Sequence, residues 1–248
     1  MAYFKFENKK VYYRIVGQGA PLLLLHGNTV SSKMFAQVLK KYAKAFQVTL
    51  IDFPGHGKSE RLKKFETDFW YYNALATNAL IEYLGLEKVS VVGTSGGALV
   101  AINLALEYPD KVKLVLADSF EGEYPLSSYI DSIEADRERD KKKLLAKLTW
   151  WYCHGAGWKQ VVDLDTEVNV EFAKTGKSFF HRPISELTVP TLMIGSKKDE
   201  YCSHLDEIYA GLKQKNPMLE YHLFETGKHP AMLSNKEEFL KLAKESVE

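Results

Sequence analysis

The sequence predicts an α/β fold: a mostly parallel, doubly wound sheet with a helical cap inserted after the sixth strand. Short apolar runs alternate with longer helical stretches, the alternation stops between residues 120 and 187, and it resumes from residue 190 onward. Strands that alternate with helices predict a parallel sheet with helices on both faces. We therefore expect a core of residues 1–119 and 188–248 and a cap of residues 120–187.

The predicted strands are short and rich in apolar and β-branched residues. Residues 11–16 stop at Gly17, as a strand stops at a turn, and residues 22–25 are all leucine. All-apolar runs suit central strands covered on both faces, although their periodicity alone does not exclude helix. The strands that the sequence places individually are residues 11–16, 22–25, 48–51, 89–92, 112–117, 190–195 and 221–224, and the cap follows the strand at 112–117.

The predicted helices fill the gaps between these strands. The helix over residues 98–107 should end before Pro109, because proline cannot continue a helix and restricts the residue that precedes it. In the cap, the polar stretch 134–147 predicts one helix. The other predicted helices are residues 33–44, 67–84, 205–213 and a final helix from residue 236.

Composition narrows the classes of function. The 248 residues carry a formal charge of +1, which argues against a general affinity for nucleic acid or an anionic membrane. The two cysteines, Cys153 and Cys202, form no Cys-x-x-Cys pair and predict reduced thiols, and no apolar run is long enough for a signal peptide or a bilayer span. We expect a cytoplasmic monomer or homodimer that acts on a small molecule and needs no cofactor, metal, nucleic acid or membrane.

A glycine-rich segment carries the main chemical signal. Gly93-Thr94-Ser95-Gly96-Gly97 fits the pattern Gly-x-Ser-x-Gly, follows a predicted strand directly and opens a predicted helix. Such a tight turn needs small neighbours and leaves the serine hydroxyl exposed at the carboxyl edge of the sheet. A plain glycine-rich turn is the alternative, and a phosphate-binding loop is disfavoured because no Gly-Lys-Ser/Thr follows. Ser95 is the predicted nucleophile.

A serine nucleophile needs a base, and the base needs an orienting acid. Of the seven histidines, His229 lies directly after the last predicted strand, at the same sheet edge as Ser95. Asp199 follows the preceding strand at that edge, which gives the order Ser, Asp, His. Asp118, at the end of the strand before the cap, is the alternative acid. For the oxyanion hole, we expect the backbone N–H groups of Asn28 and Gly96.

These motifs together resemble the α/β-hydrolase superfamily, in its small capped members. His26-Gly27-Asn28 matches the oxyanion-strand motif of that superfamily, and residues 52–59 match its Asp-x-x-Gly-x-Gly-x-Ser loop. The resemblance implies that this loop is structural, so His56 is left out of the chemistry. It also implies that Asp199 is a more common position for the acid than Asp118. The dehalogenase branch is disfavoured because its nucleophile is an aspartate where this chain has Ser95.

The cap is not covered by the resemblance, and in this superfamily the cap decides the substrate. Three of the four tryptophans lie within residues 149–158, and large aromatics of this kind either line apolar pockets or pin the cap to the core. The predicted substrate-binding residues are Trp150, Trp151, Trp158 and Phe120.

The leading functional hypothesis is hydrolysis of a small to medium, mostly apolar carboxylic ester, lactone or thioester through an acyl-enzyme. Cleavage of a C–C or amide bond by the same triad is an alternative. A ligand-binding or receptor-like protein with little turnover is another, since a fold does not fix a function.

Overall fold

The computed structural model describes residues 2–247, and its centre is a single eight-stranded sheet with the strand order β1-β2-β4-β3-β5-β6-β7-β8. Only β1 and β2 pair antiparallel to their neighbours, so the six strands from β4 to β8 run parallel. The strands are β1 (Ala2–Phe6), β2 (Lys9–Val16), β3 (Ala20–Leu25), β4 (Phe46–Ile51), β5 (Val89–Thr94), β6 (Val112–Asp118), β7 (Thr191–Ser196) and β8 (Leu219–Phe224).

Helices cover both faces of this sheet. They are α1 (Ala36–Tyr42), α2 (Phe69–Tyr83), α3 (Gly96–Glu107), α4 (Ser127–Asp140), α5 (Leu144–His154), α6 (Trp158–Lys174), α7 (Leu205–Lys215), α8 (Ala231–Ser234) and α9 (Lys236–Val247). The helices α4, α5 and α6 all lie between β6 and β7, the sixth and seventh strands of the sequence. The α/β class and the mostly parallel sheet are thus confirmed.

The central strand β3 shows why both faces must be covered. Leu23 and Leu25 belong to the buried cluster that includes α2 and α3, whereas Leu22 and Leu24 belong to the cluster that includes α1 and α9. Alternate residues of a strand point to opposite faces of the sheet. The unbroken leucine run therefore feeds two cores, as expected for a central strand of a parallel sheet.

One predicted element is wrong: the single helix over residues 134–147. The chain instead forms α4 up to Asp140 and α5 from Leu144, and Lys143 between them is extended, with φ −78° and ψ 133°. The break changes the direction of the chain so that Trp150 and Cys153 of α5 are buried. Tertiary packing has overridden the helical preference of the lysine-rich sequence.

The end of α5 fixes the cap to the core through His154. Its Nε2 donates to the carbonyl oxygen of Thr29 (2.9 Å), and its Nδ1 accepts from the N–H of Gly57 (3.0 Å). Arg61 adds a hydrogen bond from Nη2 to the carbonyl oxygen of His154 (2.7 Å). Because burial lowers the pKa of His154 to about 4, the ring stays neutral and can accept and donate at neutral pH.

Candidate active site

The turn between β5 and α3 places Ser95 in a strained backbone conformation. Ser95 has φ 57° and ψ −127°, in a region that residues with side chains rarely adopt. A Cβ atom on Gly93 would lie 2.1 Å from the carbonyl oxygen of Gly97, so glycine is required there. Backbone strain of this kind is found where function depends on it. The turn places Ser95 on the wall of a cavity between the core and the cap.

His229 and Asp199 come from the loops that follow β8 and β7, and they meet at this edge of the sheet. His229 Nδ1 lies 2.9 Å from Asp199 Oδ2. Asp199 Oδ1 accepts hydrogen bonds from the backbone N–H groups of Tyr201 and Cys202, both at 2.9 Å. With Nδ1 donating to Asp199, Nε2 is the nitrogen left for proton transfer, and His229 lines the same cavity as Ser95.

The electrostatics of the pair favour a charged carboxylate and a basic imidazole. Burial acts to raise the pKa of Asp199, but the hydrogen bond and charge of His229 and the two backbone N–H groups outweigh it and lower that pKa. Burial acts to lower the pKa of His229, but Asp199, and to a smaller extent Asp118 and Glu121, outweigh it and raise that pKa. The imidazole is therefore a stronger base than an isolated histidine.

Ser95 and His229 both line the cavity, but in the described part of the chain, residues 2–247, no hydrogen bond joins them. Hydrogen bonds between catalytic groups are often long in enzymes without substrate and shorten when substrate binds. The structure therefore places His229, held by Asp199, on the wall of the same cavity as Ser95.

Asp118, the alternative acid, makes different contacts. It is completely buried, and its Oδ1 accepts from Ser119 Oγ (2.9 Å) while its Oδ2 accepts from the N–H of Met232 (3.1 Å). Ser119 Oγ in turn accepts from the N–H of Ala231 (3.0 Å). Burial raises the pKa of Asp118 to about 7. Asp118 and Ser119 thus hold the first turn of α8, just after His229, and do not touch its ring.

The segment after β3 brings Asn28 next to the start of α3. Both Asn28 and Gly96 line the cavity, and a Cβ atom on Gly96 would lie 1.9 Å from Asn28 Oδ1. The buried His26 orders this segment, because its Nδ1 donates to the carbonyl oxygen of Gly27 (2.8 Å) and its Nε2 accepts from the N–H of Phe53 (3.0 Å). Burial lowers the pKa of His26, which keeps the ring neutral for both bonds. Sequence reasoning missed this support.

The cavity has a volume of about 980 Å³, and its wall carries both apolar and charged side chains. Arg137 of α4 lines it, with Nη2 donating to Tyr129 Oη (3.1 Å) and lying 3.7 Å from Asp165 Oδ1. Its buried Nε has no hydrogen-bond partner among the described residues. Sequence reasoning missed Arg137, because only the fold of the cap turns that face of α4 toward the cavity. The other charged side chains on the wall are Lys33, Glu121, Asp140, Lys143 and Glu200.

Of the four predicted aromatic contacts, only Trp150 lies on the cavity wall. Trp158 stacks against Trp150 with ring centroids 5.4 Å apart and is buried behind it. Trp151 points outward and is 60% exposed. Phe120 is fully buried in the core, where it stacks on Tyr209 at 5.0 Å. The prediction that Trp151, Trp158 and Phe120 line the pocket is wrong, because helical geometry and core packing turn these rings elsewhere.

One group among residues 2–247 has donor atoms close enough to hold a metal ion. Ligand atoms of Asp199, Cys202 and His229 lie within 4.8 Å of one another. Burial raises the pKa of the Cys202 thiol well above its usual value, and a protonated thiol is a poor ligand. His229 Nδ1 is already within hydrogen-bonding distance of Asp199. The three residues therefore fit a hydrogen-bonded pair beside a buried thiol better than a metal site.

Curated relatives match part of this chain. A pimeloyl-[acyl-carrier protein] methyl ester esterase of Chromobacterium violaceum is 36% identical over 103 residues, which cover 42% of this chain and 38% of the esterase. A proline iminopeptidase of Clostridioides difficile is 32% identical over 151 residues, which cover 57% of this chain and 47% of the iminopeptidase. The matches thus span less than half the length of either relative.

Solved structures extend the likeness of fold to the whole chain. A meta-cleavage product hydrolase from Pseudomonas fluorescens IP01 superposes with a TM-score of 0.77 at 21% identity, over 96% of this chain and 94% of that one. In the sequence, residues 20–145 match the family described as alpha/beta hydrolase fold. This segment is just over half of the chain and contains the Ser95 turn. The chain belongs to the alpha/beta hydrolase family.

Proposed function

We propose that this protein is a serine hydrolase that cleaves a carboxylic ester, or a related lactone or thioester, through an acyl-enzyme. One observation supports the proposal above the others: His229, held by Asp199 at 2.9 Å, shares a cavity with Ser95, whose backbone is strained at φ 57°. The three residues come from three loops far apart in sequence. A purely structural role for each does not account for their meeting at one cavity.

In the proposed reaction, His229 Nε2 removes the proton from Ser95 Oγ as the oxygen attacks the ester carbonyl carbon. The resulting tetrahedral intermediate collapses. The bond between the carbonyl carbon and the alcohol oxygen breaks, and His229 returns the proton to the leaving alcohol. A water molecule then gives a proton to the same imidazole as it attacks the acyl carbon. The bond from that carbon to Ser95 Oγ breaks, His229 returns the proton to Oγ, and the acid is released. Asp199 holds the imidazole in the required tautomer and stabilises its positive charge throughout.

The negative charge on the intermediate needs hydrogen-bond donors already in place. We assign this role to the backbone N–H groups of Asn28 and Gly96, because both residues line the cavity beside Ser95. Gly96 also begins α3, so its N–H lies at the positive end of the helix dipole. The close approach of Asn28 Oδ1 to Gly96 excludes a side chain at position 96.

For the substrate, we propose a small to medium, mostly apolar ester that also carries a polar group. Trp150, Leu99 and Met34 offer apolar surface, whereas Arg137 places a positive charge on the cavity wall. A polar or anionic group of the substrate would complement that charge. This refines the expectation from sequence, which gave no reason for a cationic group in the cavity.

Cleavage of a C–C or amide bond is the second candidate, and the relatives favour keeping it. The similar proteins include the iminopeptidase and the meta-cleavage product hydrolase, as well as the esterase. A receptor-like protein is less consistent with the site, because a receptor needs neither a basic His229 nor a strained Ser95.

The test is a panel of activated esters of increasing chain length, assayed beside amide and C–C substrates and a serine-directed fluorophosphonate probe. We expect turnover of esters and labelling by the probe. Labelling with turnover of only the amide or C–C substrates would establish the second candidate. Labelling without any turnover would contradict the esterase proposal, and absence of labelling would contradict the serine mechanism.

A further inference from the structure

The helix α5 is apolar on two faces, but the cap buries only one of them. Trp150 and Cys153 face inward and are buried. Large apolar side chains that remain exposed are concentrated on the same helix: Leu144, Leu145, Leu148, Trp151 and Tyr152. Helices that are apolar all round are normally covered on all sides, but among residues 2–247 this second face of α5 stays largely exposed, and Lys33 contacts it at the Tyr152 ring (4.8 Å).

The exposed apolar residues of α5 form one continuous face. At 100° per residue, the five positions fall within an arc of about 120° on the helix surface. Leu144 is 71% exposed, Leu145 79% and Trp151 60%. Contiguous apolar surface of this kind on a water-soluble domain marks a site of interaction with a protein or a membrane.

Along α5 and its immediate flanks the sequence carries charges of a single sign. From residue 141 to residue 162 the chain has five lysines and no acidic residue: Lys141, Lys142, Lys143, Lys147 and Lys159. Lys141 and Lys143 pair with acidic groups of neighbouring segments, whereas Lys142 and Lys147 form no ion pair within residues 2–247. A net charge of +1 for the whole chain therefore conceals a local basic region beside the apolar face.

The face is also continuous with the cavity. Leu145, Leu148 and Tyr152 belong both to the exposed face and to the cavity wall that carries Ser95. A surface that covers α5 would therefore meet the mouth of the cavity. An apolar molecule could pass from that surface to Ser95 without crossing water.

From these observations we propose that the outer face of α5 docks on an anionic lipid surface, with its leucines and Trp151 in the headgroup region and its lysines against the lipid phosphates. Amphipathic helices with basic flanks and exposed Trp and Leu bind membranes in this way, lying in the plane of the interface. No helix within residues 2–247 could cross a bilayer, so the association is peripheral. It differs from the expectation from sequence, in which the near-neutral charge argued against a general affinity for an anionic membrane.

The tryptophans make the docking measurable. Trp70, Trp150 and Trp158 are buried, so Trp151 is the exposed reporter among the four. We would titrate the 248-residue protein with vesicles of equal parts phosphatidylcholine and phosphatidylglycerol, and with phosphatidylcholine vesicles alone. We expect a blue shift of the tryptophan emission and co-sedimentation with the anionic vesicles, both reduced by high salt. In Trp151→Phe the shift should disappear while sedimentation persists in part.

Three variants separate the apolar, electrostatic and catalytic contributions. Leu144→Ser and the double variant Lys142→Glu with Lys147→Glu should each reduce partitioning to anionic vesicles by on the order of tenfold. Neither change touches the cavity wall, so hydrolysis of a water-soluble ester should be unchanged. Met218→Ser is the matched control. Met218 is also exposed (53%), but it precedes β8 and so lies at the amino ends of the parallel strands, opposite the carboxyl ends where Ser95 lies. Ser95→Ala should bind vesicles as the wild type does, which separates docking from the proposed catalysis.

Two results would overturn the proposal. The first is failure to bind anionic vesicles, or equal binding to neutral ones. The second is a dimer in sedimentation equilibrium that Leu144→Ser dissociates, because a second copy of the chain would then cover this face.

Discussion

The carboxyl edge of the sheet and the outer surface of the cap hold their side chains in different ways. At the edge, backbone geometry and backbone hydrogen bonds fix Ser95 and Asp199. In the cap, α5 is fixed by packing on one face and by the hydrogen bonds of His154, and its other face is largely exposed. The end of a strand fixes the direction in which a side chain points. A helix that is apolar on two faces could bury either face against the core. We therefore assign the proposed chemistry to the edge and the proposed choice of substrate to the cap.

The largest effect should come from the edge. Ser95→Ala removes the proposed nucleophile, so ester turnover should fall by about a thousandfold or more, leaving what oxyanion stabilisation and binding supply. Kinetics with an activated ester measure the loss, and thermal unfolding should show a folded protein. Ser128→Ala, an exposed serine of α4, is the control and should keep full activity. A Ser95→Ala variant with more than a tenth of the wild-type rate would show that the cavity works without this serine.

Substitutions of the two buried carboxylates at the carboxyl edge should have very different effects on activity. Asp199→Asn should lower kcat by about 10⁴-fold, because the amide favours the wrong tautomer of His229. Asp118→Asn should retain most activity, since Asp118 bonds to Met232 and Ser119 and not to the ring. The Asp118 change should alter the free energy of unfolding by about 1 kcal/mol. If Asp118→Asn loses the activity and Asp199→Asn keeps it, the acid has been assigned to the wrong strand.

Asp118 also leaves a signature in the pH dependence of stability. Burial raises the folded-state pKa of Asp118 to about 7, above its ordinary value of 3.8, so its contribution to stability is full below pH 3.8 and is lost as the pH rises through the folded-state pKa. Asp118→Asn should therefore be destabilised less, relative to the wild type, at pH 7 than at pH 4. Chemical denaturation at the two pH values measures the difference, and a difference of the opposite sign would contradict the assignment.

The base should appear in the pH dependence of the rate. His229 must be neutral to accept a proton, so kcat/KM should rise with pH through the pKa of His229 and then level off. Because Asp199 raises that pKa above 6.5, the midpoint should lie above 6.5. In Asp199→Asn the residual activity should show a lower midpoint. A rate independent of pH between 5 and 9 would exclude a histidine base.

The cap should give the smallest and most selective effect. Trp150→Phe enlarges the cavity on the side of α5, so it should favour bulkier esters over small ones by roughly tenfold, with little change in the best kcat. Trp151→Phe is the matched control, because this neighbouring ring points to solvent and should leave ester preference unchanged. Equal shifts in both variants would mean that both tryptophans reach the substrate.

The residues at the carboxyl edge of the sheet could be predicted from sequence better than those of the cap. The order Ser95, Asp199, His229 could be predicted because each residue follows a strand, and parallel strands end at one edge. The choice between Asp199 and Asp118 could not be made from spacing, since both follow strands. It depends on which loop brings its carboxylate to His229 Nδ1, and that is a matter of tertiary structure.

In the cap, sequence was a weaker guide. Trp150 and Trp151 are adjacent and chemically alike, and a helix with apolar residues on both faces gives no signal for which one is buried. Nor could sequence place Arg137 on the cavity wall, because the turn at residues 141–143 that separates α4 from α5 depends on packing. These residues need the fold before their roles can be inferred.

The most direct test of the account is the site of covalent modification. The wild-type protein, treated with a fluorophosphonate and digested, should carry the probe on Ser95 alone, and labelling should follow the same pH dependence as turnover. Asp199→Asn should label much more slowly, and Ser95→Ala should not label. A modified residue other than Ser95, or equal labelling of the Ser95→Ala variant, would contradict the central claim that the turn between β5 and α3 carries the nucleophile.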